Sequence, residues 1–272
     1  MIAITGSTSG FLSGNLLRHL PGSKSIPRDT RRVRNDLINW LQTESPTHLI
    51  HCAGCADVRW CMDHPETAYE ANTVDTIRLV EALDFMERPP ILLYIATDKV
   101  FGQQEHAQIP ASYQPLNAYD ASKVAAEVIV WDYLQRHAGA LLRFPNFFGK
   151  DDPHEERLIP SVLRAIRNKD NEFVVRTRGD STRQYIFMPD VLAIIDKAIA
   201  EPTMTLWGKM HFGSPHIKSV TQVVRDLSAL SGHQMVLREQ MQAGEASKLS
   251  ISNENPFDIV YTDWLSALSR LV

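Results

Sequence analysis

The sequence predicts an α/β fold built on a doubly wound parallel sheet with a smaller mixed α/β lobe, and three observations carry that prediction. Short apolar runs alternate with helical patterns through residues 1–146. A glycine-rich turn, "TGSTSG", follows the first apolar run and opens the first helical one. A third apolar run, "ILLYI", ends in Thr97, Asp98 and Lys99, polar groups at the strand end where open α/β sheets keep their chemistry. Together these make the sheet a Rossmann type.

The elements follow in order. "MIAIT" is a strand, "SGNLLRHL" a helix, "SKSIP" a short weak strand, "RNDLINWLQTES" a helix and "HLIHCAG" a strand. "HPETAYEANTVDTIRLVEALDFM" reads as one long amphipathic helix, "ILLYIAT" as a strand, "AYDASKVAAEVIVWDYLQRH" as a second long helix and "GALLRFP" as a strand. After Pro145 loops dominate, with helices at "LIPSVLRAIRNK", "PDVLAIIDKAIA" and "SVTQVVRDLSALSG" and a strand at "KMHFGSP". Residues 1–146 are therefore read as a nucleotide-binding domain, to which 186–212 return, and 147–272 as a second lobe. Neither repeats nor low-complexity stretches occur.

Composition narrows the class. The chain has 272 residues, 44% of them hydrophobic, enough for a substantial core. A net charge of -4 and the lack of a long basic block give nucleic-acid binding no support. No apolar run approaches the roughly 18–20 residues a bilayer span requires, and "MIAITGSTSG" has no charged leader. The expectation is a soluble, cytoplasmic protein. Cys52, Cys55 and Cys61 lie close together, with His51 and His64 nearby. A structural zinc site needs a second ligand pair, and none stands elsewhere, so no metal is expected and Cys52 is read as a small apolar residue at a strand end.

Gly6, Gly10 and Gly14 are candidates for a tight turn, close backbone approach to a pyrophosphate, and helix packing. The helix opening at Phe11 and Leu12 offers unpaired N–H groups to phosphate. Three residues separate each glycine pair instead of the common two, so Ser9 or Ser13 stands in for part of the pattern. The basic cluster "RDTRRVR" follows the second strand. An acidic residue there reads the ribose of NAD, whereas arginine accommodates the 2′-phosphate of NADP. Arg28, Arg31 and Arg32 point to NADP; Asp29 points to NAD.

Tyr119 and Lys123 are four apart and share a helix face. An ammonium beside a phenol favours the phenolate, and Thr97 can hydrogen-bond an oxygen that alternates between alcohol and ketone. This makes a proton-transfer unit: Tyr119 as acid or base, Lys123 as its tuner, Thr97 as the orienter.

With these motifs in place, the sequence resembles the extended short-chain dehydrogenases/reductases that act on nucleotide sugars. "TGSTSGFLSG", "HCAG", "EANTVDTIRLVEA", "ATDKVFG", "PLNAYDASKVAAE", "LLRFPNFFG" and "STRQYIFMPDV" carry the resemblance along nearly the whole chain. "ADVRWCMDHPETAYEANTVDT" is especially similar to the dTDP-4-dehydrorhamnose reductase branch. The resemblance implies that Asp36 and Leu37 meet the adenine ring, that Ala53 and Gly54 line the cofactor, that Asn72 is a structural residue, and that Phe144 and Asn146 face nicotinamide and substrate. It makes Arg183 a phosphate ligand of the substrate-binding lobe and implies a homodimer through the two long helices. Trp60, Phe147, Phe148 and Trp207 are aromatic candidates for stacking on a base or for packing.

Asp98 and Lys99 leave the reaction open. The reductase branch usually has an aromatic residue at position 99. An Asp-Lys pair resembles certain nucleotide-sugar 4,6-dehydratases, where elimination needs an acid and a base beyond the tyrosine. The readings are reduction of a 4-keto-6-deoxy sugar, 4,6-dehydration, epimerisation, and a non-catalytic cofactor-binding subunit.

Overall fold

The computed structural model describes residues 1–175, 177–201, 208–240 and 247–272. In chain order its first half contains β1 (Ile2–Thr5), α1 (Phe11–His19), β2 (Lys24–Ile26), α2 (Arg28–Arg32), α3 (Arg34–Glu44), β3 (His48–His51), α4 (Val58–Asp63), α5 (Pro65–Tyr69), α6 (Asp75–Asp84), β4 (Ile91–Thr97) and α7 (Ala118–Leu134). The second half contains β5 (Gly139–Phe144), β6 (Asn146–Phe148), α8 (Leu158–Asn168), β7 (Glu172–Val175), β8 (Thr182–Phe187), α9 (Met188–Ala200), β9 (Gly208–His211), β10 (Ile217–Ser219), α10 (Val220–Ser231), β11 (Val236–Glu239), β12 (Lys248–Leu249) and α11 (Trp264–Ser269).

Six parallel strands form the main sheet in the order β2-β1-β3-β4-β5-β9. Successive side chains of a strand point to opposite faces, and β4 shows the consequence. Leu93 and Ile95 join one core with Ile4, Leu142 and the α9 residues Val191 and Ile194. Leu92, Tyr94 and Ala96 join another with Leu37 of α3, Leu79 of α6 and Val130 of α7. The sheet is thus buried on both faces, as parallel sheets are. The chain turns from β1 outward to β2, then crosses back to β3 on the other side. That reversal opens a crevice beyond the carboxyl ends of β1 and β3.

The second lobe centres on β8, flanked by β10 and β12, with β6 also pairing to it. Its core gathers Phe148, Tyr185, Phe187, Leu227 and Trp264. β9 leaves this lobe and completes the main sheet beside β5.

The basic cluster after β2 forms the short helix α2, Arg28–Arg32. Val58–Asp63 form α4, capped by Asp57, whose side chain accepts from the Trp60 amide at 2.9 Å. The expected single long helix contains a π-helical turn, Glu70–Val74, between α5 and α6. Trp207 lies outside the described residues.

Candidate active site

A cleft of about 900 Å³ opens at the crevice and runs from the glycine loop across the ends of β3, β4 and β5 to the second lobe. Its first wall is the loop between β1 and α1. Gly6 has a φ of +133°, a conformation side-chained residues rarely adopt. A Cβ on Gly10 would lie 2.5 Å from Ser13 Oγ. Ser13 fills this space: its hydroxyl donates to the Ser7 carbonyl at 2.5 Å, and its bulk fits because Gly6 and Gly10 have no side chains. Ser7, Gly10, Phe11 and Leu12 line the cleft; Ser9 does not, its hydroxyl lying 2.7 Å from Ser7 Oγ in an exposed pair.

At the end of β2, Arg28, Arg31 and Arg32 all line the cleft. Arg31 Nε and Arg32 Nε are buried without a hydrogen-bond partner among the described residues. Arg32 Nε makes a 3.8 Å ion pair with Asp75. Burial pulls the Arg31 guanidinium below the ordinary arginine range, against the opposing pull of Asp75. Buried donors of this kind call for an anion. Asp29 is exposed and off the cleft. Asp36 and Leu37, expected to meet the adenine ring, do not line the cleft. Both sit in the first turns of α3, where Leu37 is fully buried in the core and Asp36 is exposed.

The far side of the crevice holds the proton-transfer unit. Thr97 ends β4 and Tyr119 starts α7, whose first turn is capped by Asn117 accepting from the Asp120 amide at 2.9 Å. Thr97 and Tyr119 both line the cleft. Burial pushes the Tyr119 phenol up to about 12; Lys123, then Arg157 and Thr97, pull against it. Lys123 favours the phenolate, as expected, but among these residues desolvation outweighs it. Lys123 Nζ lies 5.2 Å from the centre of the buried Tyr94 ring, a cation–π seat.

Asp98 and Lys99 follow Thr97 on a short 3₁₀ turn, and both line the cleft. Asp98 is 1% exposed. Thr97 donates to its Oδ1 at 3.3 Å, while Oδ2 is buried with no partner among the described residues. Burial pushes this carboxyl up to about 6, with Lys99 and Arg183 opposing.

Ala53, Gly54, Phe144, Asn146 and Arg183 also line the cleft, as expected. Asn146 Nδ2 donates to the Gln184 carbonyl at 3.1 Å, which fixes it against β8. Phe147 and Trp60 reach the cleft, with Trp60 stacked on His64 at 4.6 Å; Phe148 is core. Sequence reasoning missed the residues from the second lobe: His154, Glu156, Arg157, Arg164 and Tyr185 all line the cleft. The charge-dense "DDPHEER" just before an apolar helix was the signal. Among the described residues no three His, Cys, Asp or Glu side chains converge as a metal site, and no helix is long and apolar enough to cross a membrane.

A doubly wound sheet with a glycine loop at its switch point and a Thr–Tyr–Lys unit across from it defines a short-chain dehydrogenase/reductase. The chain belongs to the NAD dependent epimerase/dehydratase family, whose model matches residues 13–207. It is similar to CDP-glucose 4,6-dehydratase of Salmonella typhimurium, 24% identical over 176 residues, covering 60% of this chain and 48% of that protein. It is also similar to GDP-6-deoxy-D-mannose reductase of Pseudomonas aeruginosa, 29% identical over 134 residues, covering 46% and 44%. The chain spans about half the length of these curated relatives. Among solved structures, DesIV (dTDP-glucose 4,6-dehydratase) from Streptomyces venezuelae with NAD and TYD bound superposes with a TM-score of 0.88 at 16% identity, covering 99% of this chain and 95% of that one. RMD from Pseudomonas aeruginosa complexed with NADPH gives 0.85 at 20%, covering 99% and 96%. These show the fold.

Proposed function

We propose that this chain is an NADP-dependent oxidoreductase that reduces the 4-keto group of a nucleotide-activated 4-keto-6-deoxy sugar. The observation that carries this reading is the pair of buried guanidinium Nε atoms of Arg31 and Arg32 that make no hydrogen bond among the described residues, at the position where such folds receive a 2′-phosphate. Similarity to a GDP-6-deoxy-D-mannose reductase supports it.

In this reading Gly6, Gly10, Phe11 and Leu12 hold the cofactor diphosphate at the α1 N-terminus. Arg28, Arg31 and Arg32 hold the added phosphate, and Ala53, Gly54, Phe144 and Asn146 line the rest. When bound, the cofactor supplies a hydride to the carbonyl carbon. Tyr119 keeps its proton at neutral pH, because burial holds the phenol near 12, and donates it to the oxygen as carbonyl becomes alcohol. Lys123 stabilises the phenolate that remains, and Thr97 orients the oxygen. Arg183, with Arg157 and Arg164, offers cations to the substrate diphosphate. A homodimer through α6 and α7 belongs to the same proposal, supported by Val128, which is 54% exposed on α7.

Asp98 favours a second reading, 4,6-dehydration. A buried carboxyl raised to about 6, with one oxygen lacking a hydrogen-bond partner among the described residues and Lys99 beside it, is an acid held ready next to a base. One experiment separates the two. The protein is incubated with nucleotide hexoses and their 4-keto-6-deoxy forms, with NADPH and NAD, and product masses are read. A gain of two hydrogens on a keto sugar supports reduction. Loss of water from a plain hexose overturns it in favour of dehydration, and Lys99→Ala then stops elimination.

A further inference from the structure

The cysteine cluster remains without a part in this chemistry, and its geometry is uneven. Cys52, at the end of β3, donates its thiol to the Thr5 carbonyl at 2.9 Å and is turned away from the other two. Cys55 and Cys61 face each other. Cys61 donates to Cys55 with the sulfurs 2.8 Å apart, closer than two unbonded sulfur atoms ordinarily approach. Cys55 lies in the loop between β3 and α4, is partly exposed and lines the cleft. Cys61, within α4, is fully buried.

We propose that Cys55 and Cys61 are a redox modification site: a dithiol that closes reversibly into an intrachain disulfide by exchange with a low-molecular-weight disulfide such as oxidised glutathione. The two sulfurs have complementary parts. Cys55 is the one a reagent can reach from the cleft, and its thiol is drawn down to about 7, chiefly by the hydrogen bond from Cys61; an attacking thiol works best with a pKa near ambient pH. Cys61 is pushed well above the ordinary thiol range by that same bond and by burial, which suits a resolving thiol that acts second. Cys52, pushed up to about 12 by burial, stays a thiol.

The exchange balances. Cys55 thiolate attacks one sulfur of oxidised glutathione; the S–S bond breaks and one glutathione leaves, taking a proton. Cys61, on losing its proton, attacks Cys55 Sγ in the mixed disulfide, and the second glutathione leaves as a thiol. Two protein thiols lose two electrons and two protons, and the glutathione disulfide gains them.

The site touches the machinery around it. Cys61 packs in one cluster with Ala68 and Tyr119, with Cys55 beside them. The Cys55 amide is held by Asn72 at 2.8 Å. Closing the bond therefore draws on the loop that lines the cleft and on the packing beneath Tyr119, whichever reaction the cleft performs.

The test is made on the folded, reduced protein exposed to oxidised glutathione at neutral pH, with intact mass and non-reducing peptide mapping as readouts. The wild type is expected to lose two hydrogens and yield a linked peptide joining Cys55 to Cys61, with dithiothreitol restoring the original mass. Cys61→Ser should stop at a stable glutathione adduct on Cys55; Cys55→Ser should form neither adduct nor bridge. Where a variant fails to fold, timed iodoacetamide labelling of the wild type replaces it: Cys55 labels first when reduced, and neither Cys55 nor Cys61 labels after oxidation. An unchanged mass, a glutathione adduct persisting on wild-type Cys55, or a bridge through Cys52 overturns the proposal.

Discussion

Asn72 Nδ2 donates to Ser122 Oγ at 2.9 Å, and Asn72 Oδ1 accepts from the Cys55 amide at 2.8 Å. Ser122 Oγ in turn donates to the Tyr119 carbonyl at 2.7 Å. One amide thus joins the loop after β3 to the first turn of α7. Asn72 can do this because it lies in the π-helical turn, where an irregular turn inside a helix re-aims a side chain.

Asn72→Ala is expected to destabilise the fold by about 1–3 kcal/mol, because it leaves the Cys55 amide unpaired beside a 2% exposed position. It should lower kcat more than it raises KM, since Tyr119 loses its positioning while the cleft walls stay. Urea unfolding and steady-state kinetics check this; unchanged kcat would show that α7 holds Tyr119 without the amide.

Arg31→Ala and Arg32→Ala bear on the cofactor. A hydrogen bond to a charged group contributes about 1.5–3 kcal/mol, so each loss should raise the Kd for NADPH by roughly 10- to 100-fold. NADH, lacking the 2′-phosphate, should bind nearly as before. Fluorescence titration of both cofactors measures it, and equal losses for NADPH and NADH would remove the arginines from that role.

Much of this was legible because periodicity reports burial. The strand–helix alternation gave the parallel sheet, and the four-residue spacing of Tyr119 and Lys123 put both on one face of α7. What could not be read depends on three-dimensional register. Asp36 and Leu37 looked right by pattern, but α2 occupies the stretch after β2 and carries Arg28, Arg31 and Arg32 to the cleft instead. The bunching of Cys52, Cys55 and Cys61 does not tell which sulfurs face each other: the strand end turns Cys52 to Thr5, and the α4 turn brings Cys61 to Cys55. Arg164 arrives from a lobe whose packing on the cleft has no local signature.

The buried titrating groups give stability a defined pH dependence. Asp98 has its folded pKa raised to about 6, so the folded state holds this proton more tightly than the unfolded state. Its contribution is then most favourable below the unfolded value and is lost as pH rises toward and through 6. Relative to Asp98→Asn, which cannot titrate, the wild type should lose on the order of 3 kcal/mol between pH 4 and pH 7. His51 and His211 act in the opposite direction. Burial lowers both to about 3, so each stabilises above the unfolded histidine range and loses that contribution as pH falls from about 6.5 toward 3. The wild type alone should therefore weaken on acidification while the difference from Asp98→Asn moves the other way. Urea denaturation of both proteins across this range reads the two effects, and a difference that does not vary with pH would mean Asp98 is not protonated more readily when folded.

Ser13 and Gly10 share one space, and a double-mutant cycle can show it. Gly10→Ala places a Cβ 2.5 Å from Ser13 Oγ and 3.2 Å from the Ser7 carbonyl. The nearer obstacle is a side chain, the farther one backbone. Gly10→Ala alone should displace the loop and weaken NADPH binding strongly. Ser13→Gly alone gives up the hydroxyl bond to Ser7 and should cost little. Combined, Ser13→Gly removes the close contact, so the double variant should bind better than the sum of the two single losses implies, with a coupling of about 0.5–3 kcal/mol. Titrating NADPH into all four proteins gives the number. Strict additivity would mean the Ser7 carbonyl, not Ser13, sets the limit at position 10, and the loop would then require glycine there whatever residue occupies position 13.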